Sequence, residues 1–159
     1  MPILTYAIFK DLIIPVIDVL SGIIGAAITI YIYYRNSNLR RAEWLYSLFE
    51  KFYYQSSYAG IRRILDYGNE DGVQRLRSAL QGHTDESLEE KLVDFLNFFE
   101  VIASLWKLRQ LSIKEIQMMF EYYIRRIENH DFILEYLQAW GFEGVLELVG
   151  EVRRRGGTK

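Results

Sequence analysis

The chain contains no cysteine, and among its 159 residues only two prolines and two histidines. Without thiols there can be no disulfide framework, no Cys-ligated zinc, no iron–sulfur cluster and no thiol nucleophile. The scarcity of proline, set against a sequence that is half apolar and 15% aromatic, excludes an intrinsically disordered chain. Two histidines without a Glu-x-x-His pair leave no basis for a di-iron or structural metal centre in a helical bundle. Gly-rich phosphate loops, G-x-S-x-G, H-E-x-x-H and dinucleotide fingerprints are all absent, so no cofactor is expected. Positive charge is also lacking. The net charge is −2, and the residues after Asn36 keep that value, with 17 Lys plus Arg against 19 Asp plus Glu. No sequence-specific nucleic-acid partner is expected from such a balance.

What is present is first of all a long apolar run. "LIIPVIDVLSGIIGAAITIYIYY", Leu12 to Tyr34, carries twelve Leu, Ile and Val residues and one acid, Asp18. As a helix it would extend about 34 Å, against a hydrocarbon core of roughly 30 Å. Its aliphatic residues favour insertion by roughly 4 to 7 kcal/mol, and a central Asp would oppose that by about 2.5 to 3.5. Pro15 suits a first helical turn, which places Asp18 near the positive end of the helix dipole and at the outer boundary. Tyr31, Tyr33 and Tyr34 form an aromatic belt, and Arg35, Arg40 and Arg41 follow. The expectation is a single-pass transmembrane helix over residues 12–35 in a cytoplasmic (inner) membrane, with a short outer N-terminus over 1–11 and the rest cytoplasmic. A signal peptide would carry its basic residues before a shorter core. Ser21, Gly22, Gly25 and Ala26 form two small-xxx-small pairs that would allow close helix packing and self-association.

The remainder reads as a compact helical bundle of about five to six helices over residues 36–152, followed by a basic flexible tail over 153–159. After a polar break at "RNSN", Ala42, Leu45, Phe49 and Phe52 lie on one helical face. Two short helices follow, with Ile61, Ile64 and Leu65 before a Gly68-Asn69 stop, and Val73, Leu76 and Leu80 before Gly82. A long helix starts near Thr84 or Asp85 with an acidic first turn. Its apolar face is Leu88, Leu92, Phe95, Leu96, Phe99, Ile102, Ala103 and Trp106, the best candidate for the centre of the domain. Ser112 and Glu115 have capping-box spacing, so another helix begins at Ile113. Asn129 or Asp131 caps a shorter one, which Gly141 stops, and a final piece covers Val145 to Val152. No sustained period-2 alternation and no internal repeat appears. The fold class is all-α.

Two constellations invite a chemical reading. "RRIENH" sets Arg125 and His130 with four residues between them, which resembles the Arg-x4-to-6-His signature of helical HEPN-type ribonucleases. There an Arg would stabilise phosphate charge and a His would act as acid or base. Thirteen arginines make that spacing easy to meet, and Arg77 with His83 also meets it. The plainer reading pairs Arg126 with His130 at a helix end. Glu100 follows core residue Phe99 in "FLNFFEVIASLW". It reads as a ligand contact or as one half of a buried ion pair with Arg62, Arg63, Arg125 or Arg126. The acids from Asp85 to Asp94 read as a solvated helix N-terminus rather than a cation surface.

The succession of an N-terminal apolar helix, "RAEWLYSLFEKFY", "FFEVIASLWKLRQLSIKEI" and "MMFEYYI" resembles a family of uncharacterised prokaryotic proteins with an N-terminal membrane helix and a small helical cytoplasmic domain of unknown function. The resemblance spans roughly Arg40 to Trp140, with F-F-E-x-I its most distinctive pattern. It implies a prokaryotic host and brings no catalytic residues. The function expected is therefore a membrane-anchored helical interaction or sensing module, more plausibly not an enzyme, whose partners are the lipid bilayer and a protein or a second copy of itself. The alternatives are a membrane-tethered HEPN-like ribonuclease or defence effector using Arg125 or Arg126 with His130, and a small accessory subunit of a larger membrane complex.

Overall fold

The structure, a computed structural model, describes residues 14–66 and 70–156, apart from the side chains of Ile14, Pro15, Ile17 and Asp18. The boundary position expected for Asp18, the Gly68-Asn69 stop, residues 1–11 and the last three residues of the tail lie outside the described residues. The described residues form seven helices and no strand: α1 Ile14–Tyr54, α2 Ser56–Asp66, α3 Glu70–Gly82, α4 Glu86–Lys107, α5 Ile113–Glu128, α6 Asp131–Ala139 and α7 Glu143–Gly156. The chain divides into two compact units, one ending at Leu48 and the other beginning at Phe49.

The first unit is the bulk of α1. Val19, Leu20, Ile23, Ile24, Ile28, Ile30, Tyr31, Ile32, Tyr33 and Tyr34 are each at least half exposed. The transmembrane helix expected over 12–35 is overturned here: among the described residues, no helix is long and apolar enough to cross a membrane. The physical reason is dilution. The apolar residues of this stretch do not run on unbroken. Ser21, Gly22, Gly25 and Thr29 interrupt them, and Arg35, Asn36, Ser37 and Asn38 follow in the same helix. The break expected at those four residues is absent. Asn and Ser are indifferent helix formers, not breakers, and no Gly or Pro stands among them.

The second unit is the bundle. α4 is its central helix and packs against α2, α3 and α7. Asp85 caps it, its side chain accepting from the Leu88 N–H at 3.1 Å, and Leu92, Phe95, Leu96, Phe99, Ile102 and Ala103 are fully buried. α5 opens with the expected capping box. The Glu115 N–H donates to Ser112 Oγ at 3.3 Å, and the Ser112 N–H donates back to the Glu115 carboxylate at 2.7 Å. At the C-terminal end of α1, Phe52 is fully buried, with seven aromatic rings within 6.0 Å of its own, among them Phe95, Phe99, Phe120 and Tyr123. Offset and edge-to-face ring contacts of this kind add to the area that each ring buries. Of the face expected in this segment, Phe52 is the buried member, Leu45 and Phe49 are half-buried, and Ala42 is exposed.

Two ends differ from expectation. α6 is preceded by His130 at the N-cap, not by Asn129 or Asp131, and the His130 side chain makes no capping bond. Asn129 instead ends α5. At the C-terminus, Arg153, Arg154 and Arg155 belong to the last turn of α7 rather than to a flexible tail. They are held there by carboxylates: Arg153 pairs with Glu128, while Arg154 and Arg155 reach Glu151 at 2.8 and 2.6 Å. Basic residues in a last turn also oppose the negative end of the helix dipole.

Candidate functional site

Among the residues singled out from sequence, the structure brings Arg126 and His130 together. They line a solvent-open cleft of about 580 Å³, with Glu70, Asp71, Val73 and Gln74 on its other wall. The first turn of α3 supplies that wall, the last turn of α5 supplies Arg126, and the α5–α6 junction supplies His130. His130 is fixed through its backbone. Its N–H donates to the Ile127 carbonyl at 3.3 Å, and its carbonyl accepts from Ile133 and Leu134 at 2.9 and 3.2 Å. The imidazole sits 5.6 Å from the Phe132 ring. Arg126 donates through Nε to the Leu65 carbonyl at 2.5 Å. Arg77, on α3, lays its guanidinium over the Phe132 ring at 5.1 Å, a cation–π contact that fixes a second cation in the neighbourhood.

This setting keeps His130 neutral below the ordinary imidazole range. Burial is the largest cause, the Arg126 and Arg77 charges add to it, and Asp131 opposes them. Its Nε2 is buried and has no hydrogen-bond partner among the described residues. A buried, unpaired ring nitrogen costs free energy unless a bound group satisfies it.

The other candidates are placed elsewhere. Arg125 is half-exposed and turned along α5, donating from Nε and Nη2 to Glu121 Oε1 at 2.9 and 2.7 Å. The Arg125–His130 pair that would make the ribonuclease signature is therefore not assembled in the cleft. Arg77 and His83 also engage different partners, His83 Nδ1 lying 3.0 Å from Glu89 Oε2. His83 shares a separate cleft of about 420 Å³ with Glu86, Glu89, Glu90, Val93 and Tyr136. Glu89 is occupied there, because Tyr136 also donates its hydroxyl to it at 3.1 Å. Burial and that bond push the Tyr136 phenol up to about 12. Asp85, besides capping α4, pairs with Arg75 at 2.6 Å. Among the described residues no three His, Asp or Glu side chains gather as a metal ion requires.

Glu100 meets neither Arg62 nor Arg63. Its carboxylate accepts from the backbone N–H groups of Gly144 and Val145 at 3.1 and 2.9 Å, at the first turn of α7. The positive end of the α7 dipole and two free N–H groups replace the arginine that the sequence suggested. Gly144 is what permits this approach, since a Cβ there would lie 2.4 Å from Glu100 Oε1. Arg62 donates to the Tyr53 carbonyl at 2.7 Å and lies over the Phe52 and Tyr53 rings, and Arg63 is exposed. In α1, Ser21, Gly22, Gly25 and Ala26 are exposed, and a Cβ at Gly22 or Gly25 would meet nothing within 4 Å.

Sequence reasoning missed Glu70, Asp71, Gln74 and Arg77 as neighbours of His130. No local pattern joins residues from α3 to the α5–α6 junction. Compared with known proteins, the chain matches no family model, no curated protein and no solved structure.

Proposed function

We propose that this protein is a helical interaction module that works at a lipid surface, with the Val19–Tyr34 part of α1 buried in lipid and the bundle held beside the membrane. The observation that carries this reading is the distribution of exposed apolar side chains on α1: Val19, Leu20, Ile23, Ile24, Ile28, Ile30 and Ile32 are all half or more exposed and spread over roughly 220° of the helix circumference, wider than the stripe that one packed helix covers, with Gly22, Gly25, Ala26 and Thr29 on the remaining arc. Apolar surface left in water is unfavourable by roughly 25 cal/mol per Å², and a contiguous patch of this extent marks an interaction surface. A second copy would cover one face of such a helix. Lipid covers all of them.

The residues at the end of the stretch fit an anionic headgroup layer. Tyr31, Tyr33 and Tyr34 provide amphipathic rings, and Arg35, Arg40 and Arg41 provide positive charge directly after them. Such basic residues contribute about 1 kcal/mol each near an anionic surface. The helix is an anchor that enters the apolar layer.

Flotation of the full chain with vesicles tests this. The expected result is recovery with phosphatidylcholine vesicles, strengthened when phosphatidylserine is added and weakened by salt. A chain that stays monodisperse without detergent and remains at the bottom of the gradient would contradict it.

A further inference from the structure

The cleft between α3 and the α5–α6 junction has no part in the lipid-facing role, and its chemistry is uneven. On one side stand the Arg126 guanidinium and the His130 imidazole, with Arg77 behind them. Arg126 lines the cleft, with Nε spent on the Leu65 carbonyl, which fixes the plane of the guanidinium. Arg77 is held over Phe132 within electrostatic reach of His130. His130 lines the same cleft and carries a buried Nε2 with no partner among the described residues. Asp131, the acid that acts on His130, is outweighed by the two arginines. On the other side, Glu70 and Asp71 lie in the first turn of α3, where the helix dipole offsets their charge. Their carboxylates are acceptors, and Gln74 can both donate and accept.

A bare polyanion would be repelled by Glu70 and Asp71, and an apolar ligand would leave Arg126 and His130 unsatisfied. The ligand that satisfies both walls carries an anion at one end and hydroxyl or amine donors at the other. The cleft volume, about 580 Å³, lies within the roughly 300–1,000 Å³ typical of small-molecule sites. We propose that this cleft binds a small phosphate-bearing ligand of nucleoside monophosphate type, its phosphate on Arg126 and His130 and its sugar or base donors on Glu70, Asp71 and Gln74. Arginine forks suit phosphate oxygens, and the ring nitrogen of His130 gains the partner it lacks.

The test is titration calorimetry of the full chain in mild detergent and phosphate-free buffer, with adenosine monophosphate, adenosine and inorganic phosphate as probes. The nucleotide should bind, and the other two should bind at least about tenfold more weakly, because each satisfies only one wall. Arg126→Ala and His130→Ala should each weaken nucleotide binding by roughly ten- to hundredfold, and His83→Ala, in the separate cleft, should leave it unchanged. Because Arg126→Ala also frees the Leu65 carbonyl and can disturb folding, the wild-type chain is examined by NMR as well. The Gln74 side-chain amide and the His130 ring should shift on adding the nucleotide. Absence of nucleotide binding, shifts confined to residues outside the cleft, or inorganic phosphate binding as tightly as the nucleotide would each overturn the assignment.

Discussion

Isoleucines in two parts of this chain show how much context decides. Ile23 and Ile24 in α1 are 60% and 59% exposed, whereas Ile61, Ile102 and Ile116 in the bundle are fully buried. The residue type is the same, and the difference lies in what covers it. In the bundle the cover is the chain itself, because each helix confines its apolar residues to one stripe that a neighbour can meet. In α1 the apolar residues spread over roughly 220° of the circumference, more than a single neighbouring helix covers. One region is stabilised by internal packing, and the other leaves its apolar side chains exposed.

This contrast can be broken most severely at Phe52. Truncation by Phe52→Ala removes the ring that joins Phe95, Phe99 and Phe120 and should cost about 3–5 kcal/mol, read from urea denaturation. In the same assay Ile24→Ala should change stability by less than about 0.5 kcal/mol. Equal losses at the two positions would erase the distinction between the regions. A second, smaller effect is expected where α7 meets α4. Glu100→Ala removes the acceptor for two N–H groups and should cost about 2 kcal/mol. Gly144→Ala brings a methyl against the same carboxylate and should cost a similar amount. The two losses should not add, because with Glu100 truncated the Gly144→Ala methyl has nothing to strike. Ser112→Ala, which breaks the capping box of α5, should cost about 1 kcal/mol.

The smallest expected effect is a pH dependence from His130. Its pKa in the folded chain lies below the ordinary value of 6.5, so the unfolded chain binds the proton more readily. The stability linked to this group is complete above 6.5, is lost as pH falls towards the folded pKa, and then levels off. The difference in urea midpoint between wild type and His130→Gln, followed across that window, should therefore narrow as pH falls. A difference independent of pH would show that His130 is not held neutral.

The bundle was legible because its signals are local. Asp85, the Ser112–Glu115 box and Gly141 with its φ of +78° mark helix ends through contacts within three or four residues. The rest depended on contacts between distant segments. Glu100 looked like half of an ion pair because an isolated acid beside Phe99 calls for a cation, and nothing in the sequence showed that the N-terminus of α7, 44 residues on, would supply the positive end. Arg125 and Arg126 are adjacent in sequence, yet one turns to Glu121 and the other to the cleft, a matter of helix rotation that spacing to His130 does not resolve. The continuity of α1 through Arg35 to Asn38 escaped notice because a polar run resembles a break when hydrophobic pattern is the guide. The apolar run itself reads as long enough to cross a bilayer because its twelve Leu, Ile and Val residues outweigh, in composition, the Ser, Gly and Thr that dilute it.

The central claim is that the Val19–Tyr34 part of α1 lies in lipid on all sides, and the lack of cysteine makes it directly measurable. Single substitutions such as Ile23→Cys, Ile24→Cys, Ala26→Cys and Ile28→Cys need no background removal before spin labelling, and collision with oxygen and with a water-soluble nickel complex can be compared for each in phosphatidylserine-containing vesicles. The account predicts high oxygen and low nickel collision rates at every labelled position. Nickel access along the whole stretch, or protection recurring at roughly 3.6-residue intervals as for a helix with one packed face, would contradict it.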